Sequence, residues 1–339
     1  MSGVSSVVLN VTVAAPVANG FVTVYENGKP KPGTSNLNYV KGGTAQNLVL
    51  APVGTDGKVA LAVSAGAQLI ADVSGYYVKG NPVDPGAFGR LSPARLLDTR
   101  PGSPIPSAGT ATVQVAGRGG VPADAAAVVL NVTATGSAAS GYLTAYPTGR
   151  PRPTASILNF PAGRTVPNLV MLPLGTNGSI DIWLGAGGGT DLIVDVFGYY
   201  RAGDPNLAVP GMFKALTPHR VLDTRDGTGV GGYPVTVGGG SSIGLQVTGA
   251  GGVPDTGVSA VVLNVAVTKP TATGWITTFS DDVSPPATSN LNFGAGQTVA
   301  NLVVVPVSQL GMVNLTVNGS ATMTTQLFVD VAGYFVAGP

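Results

Sequence analysis

Five short blocks recur in the same order three times along this chain, and an internal repeat of that kind points to a fold built from three related units. The block VVLNV stands at 7–11 and 128–132, and returns at 261–265. After it come GFVTVY (20–25), GYLTAY (141–146) and GWITTF (274–279). Then come SNLNY (35–39), SILNF (156–160) and SNLNF (289–293), followed by NLVLAPV (47–53), NLVMLPL (168–174) and NLVVVPV (301–307). Each copy closes on DVSGYY (72–77), DVFGYY (195–200) or DVAGYF (330–335). Two copies carry an additional front: RLLDTR (95–100) with VQVAGRGGVP (113–122), and RVLDTR (220–225) with LQVTGAGGVP (245–254). The first copy has no such front ahead of its VVLNV.

Each block is four to eight residues rich in Val, Leu, Thr and Tyr, set off by turn clusters such as GTDG (54–57) and GTNG (175–178). That spacing predicts short strands and an all-β chain. Val22 and Val24 alternate with Thr23 and Tyr25, the pattern of antiparallel sheets with one buried face. The expected architecture is a tandem series of antiparallel β-sandwich modules, jelly-roll or immunoglobulin-like, with about eight strands per full module. Strand order is left open by the pattern. The expected division is a first module at 1–78 lacking its front strands, a linker at 79–89 and a second module at 90–201. A second linker at 202–213 leads to a third module at 214–339.

Composition narrows the function. The chain has 339 residues, 10% charged, with a formal net charge of +1, which offers no electrostatic footprint for nucleic acid. Cysteine is absent, so disulfides and thiolate metal sites are excluded. The long uncharged stretch 283–329 is broken by Pro285, Pro286, Pro306 and frequent polar residues, so no membrane-spanning helix is expected. No signal peptide precedes the first strand, so an exported form of this sequence would be a mature fragment. His219 is the single histidine, and Ala94 takes its place in the second copy. With no second His or Cys beside it, neither a metal site nor a Ser-His-Asp arrangement is expected, and no enzyme activity or cofactor.

The recurrent polar residues need a separate account. On a continuing strand, Asp98 and Arg100 share a face, as do Asp223 and Arg225, which makes them candidates to bind a sugar or a carboxylate. The closing Asp72, Asp195 and Asp330 lie within apolar strands and need partners. The expected pairs are Arg100 with Asp195 and Arg225 with Asp330, as structural ties. Asn10, Asn131 and Asn264 sit mid-strand, where Asn is disfavoured, and each is expected to bridge two sheets or a loop. In the pairs Tyr76-Tyr77, Tyr199-Tyr200 and Tyr334-Phe335, one ring is expected in the core and its neighbour against the following linker.

The set RLLDTR, VVLNVT, GYLT, S-x-LNF, NLV and DVFGYY resembles a repeat of secreted and cell-surface proteins of actinobacteria. The resemblance covers nearly the whole chain and implies an exported, surface-associated module with no catalytic residues to carry over. The expected function is a non-catalytic extracellular structural or adhesive array that binds surface polysaccharide or peptidoglycan weakly. The alternative is a self-assembling subunit of a fibre, coat or phage-like appendage. In the first module the missing front leaves an edge to be closed by upstream sequence, by its own strands or by a strand from another chain.

Overall fold

The computed structural model describes residues 3–78, 86–185, 188–202 and 210–338. Strand takes up 56% of the chain and helix about 1%, so the all-β expectation holds. The first repeat contains β1 (Val4–Ala14), β2 (Gly20–Glu26), β3 (Leu37–Tyr39), β4 (Ala45–Pro52), β5 (Val59–Val63) and β6 (Gln68–Val78). The second contains β7 (Phe88–Asp98), β8 (Thr110–Gln114), β9 (Ala125–Thr135), β10 (Gly141–Pro147), β11 (Leu158–Phe160), β12 (Val166–Pro173), β13 (Ser179–Gly185) and β14 (Asp191–Arg201). The third contains β15 (Phe213–Asp223), β16 (Val237–Gly238), β17 (Ser242–Gln246), β18 (Val258–Thr268), β19 (Gly274–Ser280), β20 (Leu291–Phe293), β21 (Val299–Pro306), β22 (Met312–Gly319) and β23 (Thr324–Val336).

Pairing in the second repeat is nested. Strand β7 pairs with β14, β8 with β13, β9 with β12 and β10 with β11, which yields the sheets β12-β9-β14-β7 and β11-β10-β13-β8. The third repeat follows the same plan, as β15-β23-β18-β21 and β17-β22-β19-β20, with β16 added against β23. The first repeat has the same two sheets one strand narrower, β4-β1-β6 and β3-β2-β5. In the second repeat, residues from both sheets meet in one apolar cluster that includes Leu96, Val113, Leu130, Leu143, Leu172, Ile182 and Val196. Similar clusters fill the third and first repeats.

The repeats are not separate units strung on linkers. Their six small sheets form a propeller-like ring, and a fourth apolar cluster lies where the repeats meet. That cluster draws Val8, Leu48 and Leu50 from the first repeat, and Val129, Leu169, Met171 and Tyr200 from the second. Phe213, Val262 and Leu302 come from the third. This explains the uninterrupted apolar run of VVLNV. Val128, Leu130 and Val132 face the interior of their own repeat, while Val129 faces the shared centre. Strands buried on both faces lose the apolar-polar alternation, so the one-face expectation fails for β1, β9 and β18.

The segments expected as linkers are partly strand. Strand β7 starts at Phe88, within 79–89, and β15 starts at Phe213, at the end of 202–213. Residues 79–85 and 203–209 lie outside the described residues. The remainder forms an aromatic ladder: Tyr77 on Phe88 (centroids 4.4 Å), Phe88 on Tyr200 (5.4 Å), Tyr200 on Phe213 (4.3 Å) and Phe213 on Phe335 (5.1 Å). The second ring of each closing pair thus serves the centre. The first ring in the later two repeats, Tyr199 and Tyr334, packs on its own repeat's cluster. No helix among the described residues is long and apolar enough to cross a membrane.

Candidate functional site

Mid-strand asparagines form the most organised polar feature of the molecule. Asn10 lies opposite Leu48 across the β1–β4 pair, and Asn131 and Asn264 are placed the same way in β9 and β18. All three are at most 5% exposed, so their amides need internal partners. Those partners belong to the neighbouring repeat. The Asn131 Nδ2 donates to the Ser35 carbonyl (3.0 Å), Asn264 Nδ2 to that of Ser156 (2.7 Å) and Asn10 Nδ2 to that of Ser289 (2.6 Å).

The acceptor side is met by a second asparagine, the one that opens each NLV block. Asn47 Nδ2 donates to Asn131 Oδ1 (2.9 Å), Asn168 Nδ2 to Asn264 Oδ1 (3.0 Å) and Asn301 Nδ2 to Asn10 Oδ1 (2.9 Å). The Oδ1 atoms of Asn47, Asn168 and Asn301 in turn accept from the backbone N–H of Leu169, Leu302 and Leu48. The first repeat is thereby joined to the second, the second to the third and the third to the first. Each amide thus bridges to a loop, and that loop belongs to another repeat. Sequence reasoning passed over Asn47, Asn168 and Asn301, although their recurrence at the head of each NLV block was a visible signal.

The DTR residues form a different arrangement from the one expected. Arg95, not Arg100, grips Asp195, with Nε–Oδ1 at 2.8 Å and Nη2–Oδ2 at 3.2 Å. Arg220, not Arg225, does the same to Asp330 (2.7 and 3.3 Å). The reason is strand length. Strand β7 ends at Asp98 and β15 at Asp223, so side-chain alternation does not extend to Arg100 or Arg225. A register shift then sets Arg95 directly opposite Asp195, and Arg220 opposite Asp330. Arg100 turns back on Asp98 (Nε–Oδ1 2.9 Å), and Arg225 on Asp223 (2.8 Å). Asp98 and Asp223 also receive Arg95 and Arg220, so each front holds an Arg–Asp–Arg–Asp chain. Arg220 and Arg225 both lie over the Phe328 ring, each 4.7 Å from its centroid.

Charge follows this geometry. Hydrogen bonds from Arg100 hold the Asp98 carboxyl well below the usual range. Burial alone would raise Asp223, but Arg225 and Arg220 outweigh it and bring the carboxyl down to about 2. Burial pushes Asp195 and Asp330 up, partly offset by Arg95 and Arg220. Asp72, the counterpart in the first repeat, is raised by burial and has no partner among the described residues. His219 is exposed on β15. No cluster of three or more His, Cys, Asp or Glu among the described residues is placed to hold a metal ion.

No protein-family model matches the chain, and no curated protein does. Among solved structures it is similar to a chain of an archaeal virus described for its triple jelly roll fold and turret assembly. That match has 10% identity, covers 99% of this chain and 80% of the other, and has a TM-score of 0.21. A chain of Sulfolobus Turreted Icosahedral Virus matches at 13% identity over 100% and 81%, with a TM-score of 0.22. The exported protein XepA of PBSX matches at 12% over 76% and 90%, with a TM-score of 0.22. Likenesses this distant carry no argument about the chain.

Proposed function

We propose that this chain is a non-catalytic structural protein, a rigid block of three jelly-roll sandwiches that serves as a subunit of a self-assembling coat, fibre or appendage. The nested pairing of first strand with last, second with seventh, third with sixth and fourth with fifth supports the jelly-roll reading over the immunoglobulin-like one. The observation that carries the structural role is the asparagine seam, which joins the three repeats in a closed cycle. A spacer or adhesive array gains avidity from repeats that reach independently, and this seam removes that independence. Of the residues considered for a sugar, Arg100 donates its hydrogen bonds to Asp98 and Arg225 donates to Asp223.

The resemblance to actinobacterial surface repeats favours an extracellular or cell-surface setting for the assembly. Weak contact with surface polysaccharide or peptidoglycan is the second reading. Analytical ultracentrifugation with negative-stain imaging tests the proposal: closed oligomers or filaments are expected. A particle that stays a single chain at every concentration and is retained on cell-wall polysaccharide would replace it with the adhesive reading.

A further inference from the structure

The two junctions between successive repeats are not filled alike. Where the first repeat meets the front of the second, Glu26 at the end of β2 and Arg90 on β7 close with an ion pair at 3.4 Å. At the matching register between the second and third repeats stand Pro147 and Ala215, which carry no charge to pair. An open groove of about 440 Å³ is left there, walled by Pro147, Pro151, Pro173, Leu174 and Leu216. Its one charged lining residue is the exposed Arg150, whose side chain has no carboxylate partner among the described residues. The turn between β10 and β11 carries Arg150 and Arg152, and the corresponding turn of the first repeat carries Lys29 and Lys31. In the third repeat the same positions read Val283 and Pro285, and Asp281 and Asp282 precede them. Asp282 is exposed, and Val283 is 54% exposed. Asn314 and Ser280 donate hydrogen bonds to the two carboxylates, but among the described residues no cation pairs with them. Leu310, 73% exposed, lies in the neighbouring turn ahead of β22, whose start pairs with the end of β19.

We propose that the acidic turn 281–283 of one copy seats in the proline-walled groove of a second copy, with Asp282 meeting Arg150 and Val283 covering the apolar wall. The proposal rests on the reading of the chain as an assembly subunit and names the contact that builds the assembly. A second copy is the occupant because the chain carries both halves of the match and does not join them within itself: no residue of the turn lines its own groove. Charge complementarity picks out the partner surface. Of the three corresponding turns, only that of the third repeat sets carboxylates beside an exposed apolar residue, whereas the other two would bring cations against Arg150. Seating the turn takes Val283 and the groove wall out of water and gives Arg150 and Asp282 the partners that each lacks. Groove and turn are different surfaces, so the contact is heterologous. Each copy gives its turn to one neighbour and its groove to another, which closes a ring or extends a filament.

Sedimentation of the full chain over a concentration series tests this with two charge reversals. The parent is expected to associate, and to do so less as salt rises. Arg150→Glu and Asp282→Lys are each expected to weaken association at least tenfold, because each sets like charges across the contact. An equimolar mixture of the two variants is expected to recover the parent's association. The altered groove of the first then faces the altered turn of the second with opposite charge, and the native turn of the first faces the native groove of the second. Both substitutions are at exposed positions, and thermal melts that match the parent's show that the variants fold. Association that survives either reversal, or a mixture that fails to recover it, overturns the inference and leaves the assembly reading in place with another surface as the contact. A chain that stays single at every concentration removes both.

Discussion

An asparagine in the middle of a buried strand loses water from an amide with two donors and an acceptor, so it is tolerated only where each finds a partner. Asn131 finds the Ser35 carbonyl and the Asn47 amide, both outside its own repeat. Asn131→Ala takes the partner of the Ser35 carbonyl and one of the two acceptors of the Asn47 amide, which keeps the Asn36 carbonyl, at about 1–3 kcal/mol for a buried group left unpaired. The expected result is a clear drop in the urea midpoint. Asn131→Asp should cost more at neutral pH, since a carboxylate cannot donate to the Ser35 carbonyl, and part of that excess should vanish in acid. A second residue-scale outcome concerns Asp223, held at about 2 in the fold against an ordinary 3.8. A lowered carboxyl stabilises the fold above its unfolded value, and that contribution is lost as pH falls from about 4 through about 2. Asp223→Asn should therefore cost about 1–2 kcal/mol near neutrality and little at pH 2, measured as the difference between paired denaturation curves. Sequence alone flagged Asn10, Asn131 and Asn264 as bonded to something specific. It did not identify the partner, because strand periodicity tells which face a side chain takes and not which body lies against that face.

At the scale of elements, the fronts show why a motif is harder to read than a strand. RLLDTR looks like one strand from the first arginine to the last, which would place Asp98 and Arg100 on one face. The strand stops at Asp98, and the last two letters leave it in a turn where the Arg100 N–H and guanidinium both close on the Asp98 carboxylate. The existence of the strands was legible from the repeats, while their order within the sheets was not. Which of two arginines meets the closing aspartate depended on a register shift that no periodicity encodes. The two arginines should therefore behave differently on truncation. Arg95→Ala leaves Asp195 buried with its main partner gone, a loss of about 3–5 kcal/mol for a fully buried pair and less here, since the Arg95 side chain is 33% exposed. Arg100→Ala removes a side chain that is 51% exposed and should cost under about 1 kcal/mol. Thermal melts of the two variants side by side check the order, and an equal or reversed cost would mean that Asp98, rather than Asp195, anchors the front.

At the scale of the molecule, each repeat has its own apolar cluster, which alone would allow three separate transitions on heating. Three features argue against that. The central cluster takes side chains from every repeat, the asparagine seam links each repeat to both others, and the aromatic ladder runs from Tyr77 through Tyr200 to Phe335. Loss of one repeat would expose Val129, Val262 or their partners to water at about 1.5–3 kcal/mol for each large side chain, and would strand buried amides on both remaining neighbours. An isolated opening of one repeat is therefore penalised at two of the three interfaces at once, whereas opening the other two as well breaks only the one that remains. Differential scanning calorimetry should thus show one transition, with a ratio of calorimetric to van't Hoff enthalpy near one, in contrast to about three for repeats that melt alone. Asn131→Ala weakens one of the three seams and should broaden that transition as well as lower it, since the cycle then has a place to open first. Three resolved transitions in the parent chain would mean that the seam orders the repeats without coupling them.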